Sequence, residues 1–192
     1  MAVTLVTGPV RSGKSRYVVG LARAAGLRVT YVATALPDVN DEEWNARVKR
    51  HVLDRPASWE LIESATLTPH ALREVFVAAG PEQCILVDAL GTWLAARLAT
   101  SIDAFERDAA AFQAQIEEEA AQLEEAMLAS RARVIVVAEE VGWDVVPVEA
   151  SARLFRDVLG RMKQRLAARA QATVLVVCGI ALDLRALGTV IA

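Results

Sequence analysis

The chain has two cysteines, two histidines and no apolar run long enough to cross a bilayer. Two thiols cannot build a disulfide framework, and Cys84 and Cys178 both fall in apolar, strand-like runs. They read as reduced, buried side chains. A spanning helix needs about 20 apolar residues, whereas the longest apolar stretch, Thr173 to Leu182, stops at Asp183 and Arg185. It reads as a buried strand. Basic residues are not in excess: 21 Lys and Arg face 24 Asp and Glu, for a net charge of -3. This removes any electrostatic reason to expect nucleic acid or an anionic membrane as partner. There is no basic, hydrophobic and cleavage-site succession of a secretory leader, so the reading expects a cytoplasmic protein. Repeats and Gly/Ser/Pro-rich linkers are also missing, and a 54% apolar composition supplies a sizeable core. A single domain over residues 1–192 is expected.

What is present begins at the N-terminus. Gly8-Pro9-Val10-Arg11-Ser12-Gly13-Lys14-Ser15 has the spacing Gly, four residues, Gly-Lys-Ser, and follows the apolar run Val3 to Thr7. Such a loop turns its backbone N–H groups around phosphates, and the helix that follows points its positive dipole end at them. Lys14 would reach the outer phosphates and Ser15 would hold Mg2+. The bland alternative is a glycine turn with an exposed lysine. A helical pattern follows through Tyr17, Val18 and Leu21, with Gly26 placed as the helix stop.

Five β-branched or aliphatic runs recur: Val3 to Thr7, Arg28 to Thr34, Cys84 to Asp88, Val134 to Ala138 and Thr173 to Cys178. Helical patterns separate them. Continuous apolar strands alternating with helices predict an α/β fold, a mainly parallel sheet with its ligand at the strands' C-terminal edge. The longest helix is predicted from about Ile102 to Leu128, with Glu117-Glu118-Glu119 and Glu124-Glu125 on a solvated face.

Cys84-Ile85-Leu86-Val87-Asp88 carries a carboxylate to that edge, where Asp88 with Ser15 would complete the protein side of a Mg2+ site. A helix N-cap is its other reading. His51 lies among Arg47, Lys49, Arg50 and Arg55. Basic neighbours would bias its imidazole toward the neutral, nucleophilic form, but an exposed histidine fits the same residues. His70, in Thr68-Pro69-His70, receives no role.

Taken together, several segments resemble the bifunctional adenosylcobinamide kinase and adenosylcobinamide-phosphate guanylyltransferase family of cobalamin biosynthesis. They are Leu5 to Gly8 with Arg11 to Arg16, Tyr31-Val32-Ala33-Thr34-Ala35, Arg47 to His51 with Arg55, Trp59 with Glu63, Glu140-Val141-Gly142, Val146-Pro147, Arg153 to Gly160 with Gln164, and Cys178-Gly179-Ile180. The resemblance implies a RecA-like phosphate-loop NTPase fold of three layers. It also implies two reactions, phosphorylation of adenosylcobinamide by ATP or GTP and transfer of GMP from GTP through a covalent guanylyl-histidine. His51 falls at that histidine's place. Ala33, Thr34, Ala35, Val52, Leu53, Asp54, Arg55, Glu63 and Asp88 would join the loop, Gly8 to Ser15, in binding nucleotide, and a homotrimer is implied.

The chain departs from the family pattern at Pro9 and Val10, where Gly and Ala are usual, at Glu139 and Lys163, where Asn is usual, and at Asp144, where Gly is usual. The resemblance puts Glu139, Asp144 and Lys163 near the corrinoid or subunit surface. Two competing readings accompany it: a small-molecule kinase or NTPase in which His51 is a bystander, and a GTP-binding homologue weakened in catalysis.

Overall fold

The computed structural model describes residues 2–35, 40–53, 55–64 and 67–191. The apolar runs form strands close to their expected bounds: β1 (Ala2–Gly8), β2 (Arg28–Ala33), β4 (Gln83–Asp88), β5 (Arg133–Glu139) and β6 (Ala172–Val177). Two short edge strands join them, β3 (Glu60–Glu63) and β7 (Ile180–Asp183). The seven strands lie in the order β3-β2-β4-β5-β1-β6-β7, all parallel except β7, which runs antiparallel to β6.

The helices are α1 (Lys14–Ala24), α2 (Glu42–Leu53), α3 (Pro69–Ala78), α4 (Leu90–Ala99), α5 (Ile102–Arg107), α6 (Ala109–Ala129), α7 (Ala150–Arg169) and α8 (Leu184–Leu187). One face of the sheet packs on α3, α4, α6 and α7 through Phe76, Leu94, Ile116, Met127 and Leu159. The other packs on α1 through Val18 and Ala22. This explains the unbroken apolar strands: Leu5 and Val6 face opposite layers and both are buried.

Three expectations are corrected. The long helix is two helices, because the Asp108 side chain accepts the Ala111 N–H and starts α6 afresh. The acidic face is not wholly solvated: Glu124 is buried and Arg165 of α7 donates to both its oxygens at 2.7 Å. Burial still holds the Glu124 carboxyl above its ordinary value, against the pull of Arg165. Finally, Thr173 to Leu182 is not one buried strand. It turns at Cys178 (φ +52°) and Gly179 (φ +77°) into the exposed β7. Cys178 is therefore exposed, whereas Cys84 is buried and its thiol is pushed up to about 11 by desolvation.

Candidate nucleotide and phosphoryl-transfer site

β1 ends in the phosphate loop, and the loop's glycines have a visible cause. Gly8 has φ +153°, and a Cβ there would stand 2.2 Å from the Val176 carbonyl oxygen of β6. Gly13, at φ +101°, is the left-handed residue from which α1 starts. The turn between β6 and β7 braces the loop, since the Gly179 N–H donates to the Ser12 carbonyl at 2.9 Å.

Lys14 is buried, and its Nζ donates to the Gly8 and Pro9 carbonyls at 2.8 Å each. Burial lowers its pKa, while the carboxylates of Glu139, Asp88 and Glu140 act the other way. The Ser12 hydroxyl is buried without a hydrogen-bond partner among the described residues. An unsatisfied hydroxyl, a buried ammonium and a glycine cradle at a helix N-terminus together suit a phosphate chain. Pro9 contributes no N–H to that cradle, only its carbonyl.

The loop opens onto a cavity of about 750 Å³. Val10 to Ser15 line one wall, Ala33, Ala35 and Asp88 the tips of β2 and β4, and Glu63 and Arg55 the far side. Trp44 and Val48 of α2 also reach it. Asp88 is held by the Tyr31 phenol, which donates to Oδ2 at 2.7 Å, and the Arg55 guanidinium lies 5.2 Å above that same ring. The N-cap reading of Asp88 does not hold, because Ala89 is the N-cap of α4. Ser15 and Asp88 offer oxygen donors to one space, the donor chemistry a hard cation such as Mg2+ requires.

Thr34 is buried, and its hydroxyl bonds the Ala89 backbone and the Thr92 hydroxyl instead of lining the cavity. It shapes the β4–α4 turn. His51, Val52 and Leu53 occupy the last turn of α2, and Asp54 lies outside the described residues. His70 is exposed on α3.

Two acids close β5, Glu139 as its last residue and Glu140 just after it, and the structure separates their tasks. Glu140 turns away from the cavity: it accepts the Thr7 hydroxyl and pairs with Lys163 at 2.9 Å, while its own N–H donates to the Gly8 carbonyl at 3.1 Å. That cluster ties α7 to the base of the phosphate loop. Glu139 lines the cavity, and its Oε2 accepts the Gly91 N–H of α4 at 2.9 Å. Burial raises the Glu139 carboxyl above its ordinary value, and Asp88 adds to this against the two backbone N–H groups and Lys14. Glu139 therefore lines the cavity, Lys163 packs behind the loop against Glu140, and Asp144 lies on an exposed surface. The signal for Glu139 was in the sequence: Val134 to Ala138 ends in an acid as Cys84 to Val87 does.

A family model described as cobinamide kinase / cobinamide phosphate guanyltransferase matches residues 4–184. The bifunctional adenosylcobalamin biosynthesis protein CobU of Salmonella typhimurium is 36% identical over 184 residues, which cover 94% of this chain and 98% of that protein. CobU of Escherichia coli is 34% identical with the same coverage. CobP of Pseudomonas aeruginosa is 33% identical over 94% of this chain and 96% of its own. Among solved structures, an ATPase from the type III secretion system of pathogenic bacteria aligns with a TM-score of 0.59 at 12% identity. The match covers 98% of this chain and 58% of that one, and it supports the phosphate-loop NTPase fold alone. No helix among the described residues is long and apolar enough to cross a membrane.

Proposed function

We propose, since the chain belongs to the cobinamide kinase / cobinamide phosphate guanyltransferase family, that it carries out both reactions on one nucleotide site. In the first, a nucleoside triphosphate phosphorylates the aminopropanol hydroxyl of adenosylcobinamide. In the second, GTP gives GMP to His51 with release of pyrophosphate, and the cobinamide phosphate takes it up to form adenosylcobinamide-GDP in cobalamin biosynthesis. The working unit is one domain over residues 1–192, assembled as a homotrimer in the cytoplasm.

One observation carries the histidine's part. Trp44 and Val48 bring a face of α2 to the cavity, and position 51 follows them by seven and three residues, on that same helical face. A nucleophilic imidazole there divides one phosphoryl exchange into two in-line transfers.

Loop N–H groups would cradle the phosphates, and Lys14 would stabilise charge that develops on the transferred group. Ser15 and Asp88 would hold Mg2+, with the Tyr31 phenol keeping Asp88 in place. When bound, that ion would neutralise phosphate charge. Arg55 and Glu63, at the far side of the cavity, stand where a base and ribose would extend.

The test is incubation with Mg2+ and GTP labelled at the α-phosphate. Acid-labile, base-stable label is expected on the wild-type chain and none on His51→Ala. An unlabelled wild type that still phosphorylates corrinoid would make the protein a small-molecule kinase with His51 as bystander.

A further inference from the structure

Among the described residues, the cavity holds one carboxylate that the roles above leave unused. Glu139 is the register partner of Gly8 across the β1–β5 ladder, so it stands beside the first residue of the phosphate loop. Its Oε2 is anchored by the Gly91 N–H at 2.9 Å, and a Cβ on Gly91 would come within 2.3 Å of that oxygen. The glycine is what lets the carboxylate seat here. We propose that Glu139 is the catalytic base of the kinase step, taking the proton of the attacking hydroxyl as that oxygen bonds to the γ-phosphorus.

The step balances within the groups named. The hydroxyl oxygen forms a bond to Pγ, the bond from Pγ to the bridging oxygen breaks, its electron pair leaves with the nucleoside diphosphate, and the hydroxyl proton passes to the Glu139 carboxylate. The other acids around the cavity are less suited. Asp88 accepts the Tyr31 phenol and is assigned to the cation. Glu140 is paired with Lys163 at 2.9 Å and bonded by Thr7. Glu63 stands on β3, four strand spacings from β1 in the sheet order, or roughly 19 Å at the usual strand separation. Burial favours the protonated form of Glu139, which is the direction a proton acceptor needs.

The proposal rests on the kinase reading, and it distinguishes the two activities. Phosphorylation must remove a hydroxyl proton, whereas guanylyl transfer uses an imidazole and then an ionised phosphate oxygen. Glu139→Gln keeps an oxygen for the Gly91 N–H and loses the proton acceptor. Its corrinoid phosphorylation is expected to fall about a hundredfold in kcat, with a much smaller change in KM for nucleotide. Labelling by GTP, and GMP transfer to pre-phosphorylated corrinoid, are expected to fall far less than the kinase rate, and an unchanged circular dichroism spectrum reports that the variant is folded. Glu139→Asp should keep part of the kinase rate. Equal loss of both activities in Glu139→Gln, or an unchanged kinase rate, would overturn the proposal. A wild type unable to phosphorylate corrinoid would overturn the kinase reading itself.

Discussion

Replacing Gly8 by alanine should injure fold and site together, and the size of the effect follows from the space and the backbone angle at that position. A Cβ at Gly8 would lie 2.2 Å from the Val176 carbonyl oxygen and 3.1 Å from the Ser12 hydroxyl, at a φ of +153°. The nearest obstacle is backbone of the neighbouring strand, so no side chain can rotate out of the way. Overpacking costs about 1–3 kcal/mol, and a strained φ costs a similar amount. A loss of about 3 kcal/mol is therefore expected, with Tm lowered by about 6–12 °C for a chain of this length. The displaced loop would also shift the carbonyl that Lys14 holds at 2.8 Å, so nucleotide should stabilise the variant less than the wild type. Differential scanning calorimetry with and without GTP and Mg2+ reads both effects. Gly20→Ala is the control: it lies within α1 with nothing within 4 Å of its Cβ, and should gain about 0.5–1 kcal/mol. A Gly8→Ala protein as stable as the wild type, with unchanged nucleotide response, would refute the geometry of the loop.

Arg165→Ala strands the buried Glu124 and should cost about 2 kcal/mol in urea unfolding, below the usual figure for a broken buried pair because Arg165 is 41% exposed. Arg169→Ala removes only the exposed pair with Glu125 and should change nothing measurable. Thiol titration of the native protein should find Cys178 reactive and Cys84, held at about 11 and buried, silent until denaturant is added. Glu139→Gln should raise Tm at neutral pH, since it removes a carboxylate whose charged form is penalised by burial. Its folded-state pKa is raised, so wild-type stability from this group is full below the unfolded pKa and is lost as pH climbs through the folded one. The Tm gap between variant and wild type should accordingly narrow as the buffer is acidified, and a widening gap would contradict the assignment.

What could be read along the chain was whatever local pattern determines. Continuous β-branched runs located five of the seven strands, and Gly-x4-Gly-Lys-Ser located the loop, because each is dictated by neighbours in sequence. Asp88 was legible as an acid ending an apolar strand. β3 was not, since its four residues include only Leu61 and Ile62 as apolar and their pairing with β2 is a tertiary fact. The break at Asp108 hid inside an unbroken three-and-four periodicity, although an aspartate is among the best helix-starting residues. The turn at Cys178 hid because an apolar run gives no sign of positive φ except Gly179. Glu139 read as a surface departure because its partner, the Gly91 N–H, lies 48 residues away in sequence. Thr34 joined the expected binding set through the resemblance, and its bonds to Ala89 and Thr92 could not be read from the sequence because those partners lie more than fifty residues away.

If the phosphate-loop cavity feeds a nucleophile at position 51, peptide mapping of the labelled chain will locate it. After brief reaction with α-labelled GTP and Mg2+, base-stable label should appear on the peptide containing His51. It should be absent from the peptide containing His70, the other histidine of the chain. Label on the His70 peptide, or label that survives in His51→Ala, would contradict the account.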